Sequence, residues 1–398
     1  MELHDLVTRA VAAGAAEAED LARYMYEHPE IAKEEKLSSQ AIVQILRDNG
    51  FTVTYPFMEA ELGYGTAFMA VLENGEGPKA AILTEYDALP EIGHGCGHNT
   101  NAAMSVLAGT ALMRLKDQWK GTLYLVGTPA EEAEGAKMQM AESGVFDDMD
   151  IAIMIHAGSG GVARVNMEVL SLRSYTVSFS GQTAHAAACP WSGRNALPAA
   201  RKFLDLLDSR RDSFHPFAIA SSIILEGGQA PNVVPDHAAV RLELRADSLE
   251  RLEEMDRITR NCAKGAAIAL DCTESFAKDF MDFYDMVRVP ALEEKLGALL
   301  VQAGETLAPV EGWGSSDVGN VSYHCPTIQP MLCITKEKCA MHTTTINEAT
   351  ISDFGLSQMR KGAGVISEAV LEIFNHPEFC TQVRKDFEEA RAVKQQAD

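Results

Sequence analysis

Short apolar segments typical of β-strands alternate with segments typical of α-helices between residues 50 and 160, and this alternation most constrains the fold. In the helix-like segments, apolar residues recur every three or four positions. Strands separated by helices usually pair in parallel, because the helix carries the chain back to the edge of the sheet where the strand began. The sequence therefore predicts an α/β fold with a largely parallel sheet that is covered by helices.

The pattern changes near residue 170. From there the segments follow the order β-α-β-β-α-β, and the strands alternate polar and apolar residues as half-exposed antiparallel strands do. This order is typical of a compact ferredoxin-like α+β domain. We therefore expect a catalytic domain in two parts, residues 1–169 and 283–398, with residues 170–282 inserted between them.

Composition excludes several classes of protein. Hydrophobic residues make up 46% of the 398 residues and charged residues 23%, which is typical of a folded globular chain. The 34 Lys and Arg against 57 Asp and Glu give a net charge of −23 with no basic stripe, which argues against nucleic acid or an anionic membrane surface as partner. No signal peptide or apolar stretch of membrane-spanning length is found, and the eight cysteines form no CxxC pair. We expect a soluble protein of the reducing cytoplasm.

A loop rich in glycine and histidine, residues 93–99, lies where a predicted strand leads into a predicted helix. It carries Cys96 and His98, and thiolate and imidazole are ligands that a zinc-like ion prefers. One Cys-x-His pair is weak evidence, because buried free cysteines and surface histidines are common. A metal site here requires further ligands.

Further candidates follow the next two predicted strands. Glu131 and Glu132 come after one strand and His156 closes the next, so all three should emerge at the same carboxyl edge of a parallel sheet as the loop. On an extended backbone the two carboxylates would point to opposite sides, one as metal ligand and the other as general base. Taken singly, the acid pair is also typical of a helix N-terminus, and His156 of a buried, hydrogen-bonded imidazole.

Together these residues resemble the M20 metallopeptidase and amidohydrolase family. The resemblance rests on Cys96-Gly97-His98, on the run Thr128 to Glu132, on His156 and on the late His342, and it covers nearly the whole chain. The most similar branch has a Cys-Gly-His metal loop and contains aminobenzoyl-glutamate hydrolases, auxin-conjugate hydrolases and N-acyl-amino-acid acylases. Further matching segments are Asp87–Pro90, Gly181–His185, Gly227–Asn232 and Gly314–Gly319.

The resemblance implies a metal-dependent amidohydrolase that acts on N-acyl amino acids or unusual dipeptides as a homodimer, with the inserted domain mediating dimerisation. It implies two divalent ions, Zn²⁺ or Mn²⁺, and a metal-activated water with Glu131 as general base and acid. It also implies that His185 stabilises the oxyanion and that Asn232 binds the substrate. The implied metal ligands are Cys96, His98, Glu132, His156 and His342, with Cys96 shared between the ions.

The chain departs from the branch in places, and two other functions stay open. Asn99 stands where most of the branch has an acidic residue, and the surroundings of His342 match loosely, so His324 is the reserve ligand. One alternative is a non-catalytic metal-binding partner subunit of the same fold. The other uses Cys96 as a thiol nucleophile, which would leave Glu132 and His156 without a role. The acyl group and the amino acid cannot be deduced from the sequence.

Overall fold

The computed structural model describes residues 3–310 and 314–396, which divide into two compact units. Unit 1 comprises the described residues up to Glu168 and from Met286 to Gln396, and unit 2 comprises Val169–Asp285. The sequence places the corresponding boundaries after residues 169 and 282. The chain therefore leaves unit 1, completes unit 2 and then returns to unit 1.

The α-helices and β-strands are numbered in chain order. The helices α1 to α12 span Leu3–Glu27, Lys36–Asp48, Glu59–Leu62, His98–Arg114, Ala136–Glu142, Ala196–Asp208, Leu249–Ala269, Pro290–Gln302, Val318–Ser322, Thr344–Ala349, Asp353–Asn375 and Pro377–Gln396. The strands β1 to β12 span Thr52–Thr54, Phe68–Glu73, Lys79–Thr84, Thr122–Gly127, Ile151–Ile153, His156–Ser159, Ser171–Ser180, Ile219–Glu226, His237–Ala246, Thr273–Lys278, Thr327–Ile328 and Met331–Thr335. The chain therefore alternates strands and helices as the sequence predicts.

A six-stranded sheet forms the centre of unit 1, with strand order β1-β2-β4-β3-β5-β11. The pairs β4/β3, β3/β5 and β5/β11 are parallel, whereas β1/β2 and β2/β4 are antiparallel. The predicted mostly parallel sheet is thereby confirmed. In the register of β3 and β4, Thr84 lies opposite Gly127, so the two strands end side by side. The segments that follow them leave the sheet at the same edge.

The core of unit 1 forms where helices pack on this sheet. Every residue of α4 from His98 to Leu112 is buried, and α4 packs against α1, α11 and β3. A helix that is apolar on all sides, as this one is, requires such complete burial. Full burial of each large aliphatic side chain contributes about 1.5–3 kcal/mol, so the position of α4 is strongly fixed. The loop of residues 93–99 is therefore attached to a rigid element.

The sequence prediction for the strand before His156 is wrong in one respect. It runs the strand continuously to His156, whereas β5 ends at Ile153 and His156 begins β6, which pairs in parallel with β12 in a separate two-stranded sheet. The break coincides with Gln329 and Pro330 between the partner strands β11 and β12, and proline has no N–H to donate to a ladder. His156 stays tied to this partner because its N–H donates to the Pro330 carbonyl at 2.8 Å.

Unit 2 is a four-stranded antiparallel sheet with strand order β10-β7-β9-β8 and two helices, α6 and α7, packed on it. Its chain order β7, α6, β8, β9, α7, β10 is the predicted β-α-β-β-α-β order, and the ferredoxin-like insertion is confirmed. Apolar side chains of the helices and strands form one core, which includes Tyr175, Phe179, Phe203 and Val240. Across the described residues, no helix is both long and apolar enough to span a bilayer.

Candidate metal centre

The loop that carries Cys96 and His98 is held close to the strand that carries His156. Gly97 has a φ of +83°, and a Cβ at this position would lie 2.5 Å from the Cβ of Ala157. Both facts require glycine here, because other residues avoid this conformation and no other side chain fits. The close approach places the Cys96 Sγ 3.7 Å from the His156 Nε2.

The five predicted metal ligands come together in two groups of candidate ligand atoms, each spanning no more than 4.8 Å. One group contains Cys96, His98 and His156, and the other contains Cys96, Glu132 and His342. Cys96 belongs to both groups. The arrangement can hold two ions that share one thiolate, with imidazole and carboxylate oxygen as the remaining ligands.

Hydrogen bonds fix both buried imidazoles in the orientation that metal binding requires. The His98 Nδ1 lies 3.0 Å from a carboxylate oxygen of Asp87 and 3.0 Å from its carbonyl oxygen. The His156 Nδ1 lies 2.7 Å from the carbonyl oxygen of Ala157. Because these acceptors take the Nδ1 proton, the lone pair of each ring is on Nε2, which faces the other candidate ligands.

Two buried polar atoms of the site have no hydrogen-bond partner within the described part of the chain. They are the Nε2 of His98 and one carboxylate oxygen of Glu132. An unpaired buried polar group costs about 1–3 kcal/mol, so a native protein usually satisfies it. A divalent cation would satisfy both atoms, and the residues present therefore fit a metal centre.

The protonation of these groups without a cation also fits a site that binds one. Burial raises the pKa of the Cys96 thiol, and burial lowers the pKa of His156. For His98, burial alone would lower the pKa, but the neighbouring carboxylates of Glu85 and Asp87 outweigh it and raise the pKa. A bound cation would favour the thiolate and the neutral imidazoles, because it interacts most favourably with their lone pairs.

His342 reaches the site from a turn before α10. Its φ of +61° is unusual for a residue other than glycine, and its N–H donates to the Gly95 carbonyl at 2.9 Å. Its Nε2 lies 3.4 Å from Glu132, and its side chain is 52% exposed. The reserve ligand His324 lies elsewhere in unit 1 and pairs with Asp147 at 2.7 Å.

Glu131 and Glu132 lie on a turn, so the extended backbone that the sequence suggested for them is wrong. Strand β4 ends at Gly127, and Ala130 adopts a φ of +64° before the turn. The N–H of Glu132 donates to Asp87 at 2.9 Å, and the hydroxyl of Ser316 donates to Glu131 at 3.0 Å. Since the turn reverses the chain, both carboxylates approach the imidazole of His98 and do not point to opposite sides.

Glu131 has the properties of a proton acceptor. Its side chain is 12% exposed, and one of its carboxylate oxygens lies 3.9 Å from the His98 Nε2. Burial, followed by the nearby anions of Glu85 and Asp317, raises its pKa well above the usual value. Two bound cations would oppose this rise. The balance would give a carboxylate that can both take and return a proton.

A second set of polar residues, to which the sequence pattern assigned no role, lies behind the candidate ligands. Glu85, which directly follows β3, pairs with Lys137 at 3.0 Å, and Lys137 pairs with Asp317 at 2.6 Å. Burial alone would lower the pKa of Lys137, but Asp317 and Glu85 outweigh it and raise the pKa. The available signal was the position of Glu85 at the carboxyl end of a parallel strand. Asp87, another residue without a predicted role, holds both His98 and Glu132.

Asn99, which departs from the branch pattern, is a structural residue. Its side-chain amide donates to the Ala22 carbonyl at 3.1 Å and to the Thr350 hydroxyl at 3.0 Å. These bonds connect the first turn of α4 to α1 and to the segment before α11. The substitution therefore does not remove a ligand atom from either group.

His185 and Asn232 belong to unit 2 and lie on neighbouring segments there. The N–H of Ala186 donates to the Asn232 carbonyl at 3.0 Å, and both His185 and Asn232 are exposed. The His185 Nδ1 accepts from the N–H groups of Ala187 and Ala188, at 3.3 and 3.1 Å. Since Nδ1 is an acceptor, Nε2 carries the proton and is available as a donor.

Comparisons with known proteins agree with this geometry. The model of peptidase family M20/M25/M40 matches residues 81–372. The Xaa-Arg dipeptidase of Mus musculus is 30% identical over 92% of this chain and 88% of its own length, and one of the subunits of the p-aminobenzoyl-glutamate hydrolase of Escherichia coli is 31% identical over 68% and 60%. A solved structure of a putative aminohydrolase from methicillin-resistant Staphylococcus aureus has a TM-score of 0.79 at 18% identity and covers 94% of this chain and 100% of that one. The chain therefore belongs to peptidase family M20/M25/M40, whose members are metal-dependent hydrolases of amide bonds.

Proposed function

We propose that unit 1 carries a two-metal centre that hydrolyses the amide bond of an N-acyl amino acid or of a dipeptide. The observation that carries this proposal is the pair of ligand groups that share Cys96. These groups use all five candidate ligands without needing Glu131. A carboxylate that is free of metal binding and lies beside the ligands is what proton transfer requires.

Cys96, His98 and His156 would hold one ion, and Cys96, Glu132 and His342 the other. Bound divalent ions supply Lewis-acid chemistry, because they polarise an amide carbonyl and lower the pKa of water nearby. The thiolate favours Zn²⁺, whereas carboxylate and imidazole also suit Mn²⁺. We propose one of these two metals.

Glu131 is the general base in this proposal. Its carboxylate takes a proton from the attacking water and delivers it to the nitrogen of the leaving amine, so that one group serves both steps. Ser316 donates a hydrogen bond to one carboxylate oxygen and thereby orients the side chain. Proton transfer by a positioned side chain contributes about 10²–10⁴-fold in rate.

His185 and Asn232 are proposed to act on the substrate. The protonated Nε2 of His185 would donate to the oxygen of the tetrahedral intermediate, which carries negative charge. The side-chain amide of Asn232 would bind the carboxylate or carbonyl of the substrate. The tautomer of His185 and the adjacency of the two residues within unit 2 support these roles.

The substrate class follows from the relatives. Their names specify a dipeptide with a carboxyl-terminal arginine in one case and aminobenzoyl-glutamate in the other. Both compounds have an amide bond to the amino group of an amino acid. We propose that this chain cleaves a bond of the same kind.

The assembly in this proposal is a homodimer formed through unit 2. Strand β8 is at one edge of its sheet, and Ile223, Ile224 and Leu225 are exposed there. An unprotected apolar edge strand readily pairs with a second copy of the same strand. All eight cysteines are free, which supports the reducing cytoplasm as the location of the enzyme.

A substrate panel with metal-loaded protein tests the function. The panel contains N-acyl amino acids, aminobenzoyl-glutamate, β-alanyl dipeptides and Xaa-Arg dipeptides, each assayed before and after removal of metal by a chelator. We expect hydrolysis of at least one compound, its loss on chelation and its recovery when Zn²⁺ or Mn²⁺ is returned. A chain that binds metal and hydrolyses nothing in the panel would instead support a non-catalytic partner subunit.

The role of Glu131 is tested on the best substrate by Glu131→Gln. This change keeps the size of the side chain and removes its basicity, so we expect kcat to fall by about 10²–10⁴-fold. Metal content should stay at the wild-type level. Glu134→Gln is the control, because Glu134 is on the same turn and is 56% exposed in a pair with Lys33. Wild-type turnover in Glu131→Gln would refute the proposed mechanism.

A further inference from the structure

Glu85 is a buried carboxylate that lies against the candidate metal centre and has no role in the mechanism above. It follows β3 directly and its side chain is 1% exposed. In the same sheet, Glu131 and His156 follow neighbouring strands, so Glu85 emerges at the same edge as they do. The position alone places an anion at the site.

One oxygen of Glu85 faces both buried imidazoles. Its Oε1 lies 3.5 Å from the His98 Nε2 and 3.6 Å from the His156 Nε2. These separations are longer than good hydrogen bonds, which fall between about 2.7 and 3.2 Å. Two ligands bound at about 2.0–2.2 Å to one tetrahedral ion lie about 3.4 Å apart, which agrees with both distances.

The three atoms would repel one another without a cation. Each imidazole gives its Nδ1 proton to an acceptor, so each Nε2 carries a lone pair that is directed at the Glu85 oxygen. Burial strengthens such repulsion, because little solvent is present to screen it. A divalent ion among the three atoms converts this arrangement from unfavourable to favourable.

The remaining contacts of Glu85 fix its orientation. Its Oε2 pairs with Lys137 at 3.0 Å, and Asn101 donates to its Oε1 at 3.0 Å. Asn101 also accepts the N–H of Ala157 at 2.9 Å, which connects Glu85 to the strand of His156. The second lone pair of Oε1 remains available to an ion. Since metal-binding carboxylates are usually oriented by hydrogen bonds of this kind, the set resembles a supported ligand.

We propose that Glu85 is a sixth protein ligand of the centre and completes the site formed by Cys96, His98 and His156. The inference rests on the proposed two-metal centre. It gives that ion four protein ligands, whereas the ion held by Cys96, Glu132 and His342 has three. An open coordination position is typical of a catalytic ion, so the second ion is the one that meets water and substrate. Lys137 and Asn101 are positioning residues for Glu85.

Titration of the metal-free protein with Co²⁺ tests this assignment without an activity assay. The d–d absorption of Co²⁺ reports the number and type of ligands, and competition with a chelator gives the affinity for each ion. Loss of a residue that only orients a ligand costs about 10–100-fold in metal affinity. For Glu85→Gln we expect the affinity for one of two ions to fall by more than about 100-fold, with a changed d–d spectrum.

Two further variants keep the test decisive. Asp150→Asn is the control, because Asp150 is another buried carboxylate of unit 1, bonded to the Lys79 N–H and Arg384, but it precedes β5 at the opposite end of the strand. It should bind Co²⁺ as the wild type does. If Glu85→Gln does not fold, Glu85→Asp replaces it, because it keeps the charge beside Lys137 and withdraws the oxygen by one methylene. The same spectral change is expected.

The possible outcomes separate this proposal from the function it rests on. A Glu85 variant whose d–d spectrum is identical to that of the wild type would overturn the ligand assignment, whatever its affinity, and would leave the two-metal centre intact. A wild-type protein that binds no Co²⁺ would overturn the metal centre and this assignment together.

Discussion

Glu35 shows how a single buried side chain supports the turn that carries the proposed base. It is fully buried, and its carboxylate accepts the N–H of Ala130 and the hydroxyl of Thr66, both at 2.9 Å. Ala130 has the left-handed backbone that starts the turn with Glu131 and Glu132. The bond to Ala130 therefore stabilises a conformation that alanine adopts at a cost of about 1–3 kcal/mol.

The protonation of Glu35 makes the stability of unit 1 depend on pH. Burial raises the pKa of Glu35 to about 7. Between its ordinary pKa and about 7, the folded chain holds a proton that the unfolded chain has released, so stability falls as pH rises through this range. We expect Glu35→Gln, which imitates the protonated acid, to lessen this fall. Calorimetry of the metal-free proteins from pH 5 to 8 measures it, and equal slopes for both proteins would contradict the prediction.

The sequence identified residues whose position along the chain indicates their chemistry. Cys96 and His98 stood out by their glycine-rich loop, and His156 by its place after a strand. Lys137 and Asp317 could not be found in this way, because they pair across 180 residues and neither is near a recognisable motif. Contacts of this kind depend on the packing of α5 and α9, which local sequence does not encode.

At the scale of elements, periodicity predicted the types of strand and helix and their order, including the whole of unit 2. It failed where tertiary contacts override local preference. The segment before His156 reads as one apolar strand, but its partner is interrupted at Pro330, so the ladder divides into β5 and β6. Glu131 and Glu132 read as a strand end, but a left-handed residue turns the chain before them.

The edge strand β8 gives a prediction about assembly. Two copies of β8 related by a two-fold axis would place Ile223 close to its own equivalent, and Ile223 is 59% exposed in one chain. A lysine there would bring two positive charges together at the edge. We expect Ile223→Lys to be monomeric in light scattering at concentrations where the wild type is a dimer.

Ile268→Lys is the control for this test, because Ile268 is 67% exposed on α7, outside the sheet edge. It should leave the dimer unchanged. A wild-type chain that is monomeric throughout the concentration range, or an Ile223→Lys variant that still dimerises, would show that β8 is not the interface.

At the scale of the whole molecule, the fold of unit 1 brings distant parts of the chain to one edge. The proposed ligands span residues 96 to 342, and His342 belongs to the part of unit 1 that follows the insertion. Only a chain that leaves the sheet and returns to it can complete the centre. The parallel order of β4, β3 and β5 explains why the strand-end residues meet there.

Anomalous diffraction from crystals of the metal-loaded protein, recorded at the absorption edge of Zn or Mn, tests the two-metal centre most directly. We predict two anomalous peaks in each chain, both within bonding distance of the Cys96 Sγ. One peak should lie beside His98 and His156, and the other beside Glu132 and His342. A single peak, or two peaks of which neither contacts Cys96, would contradict the account.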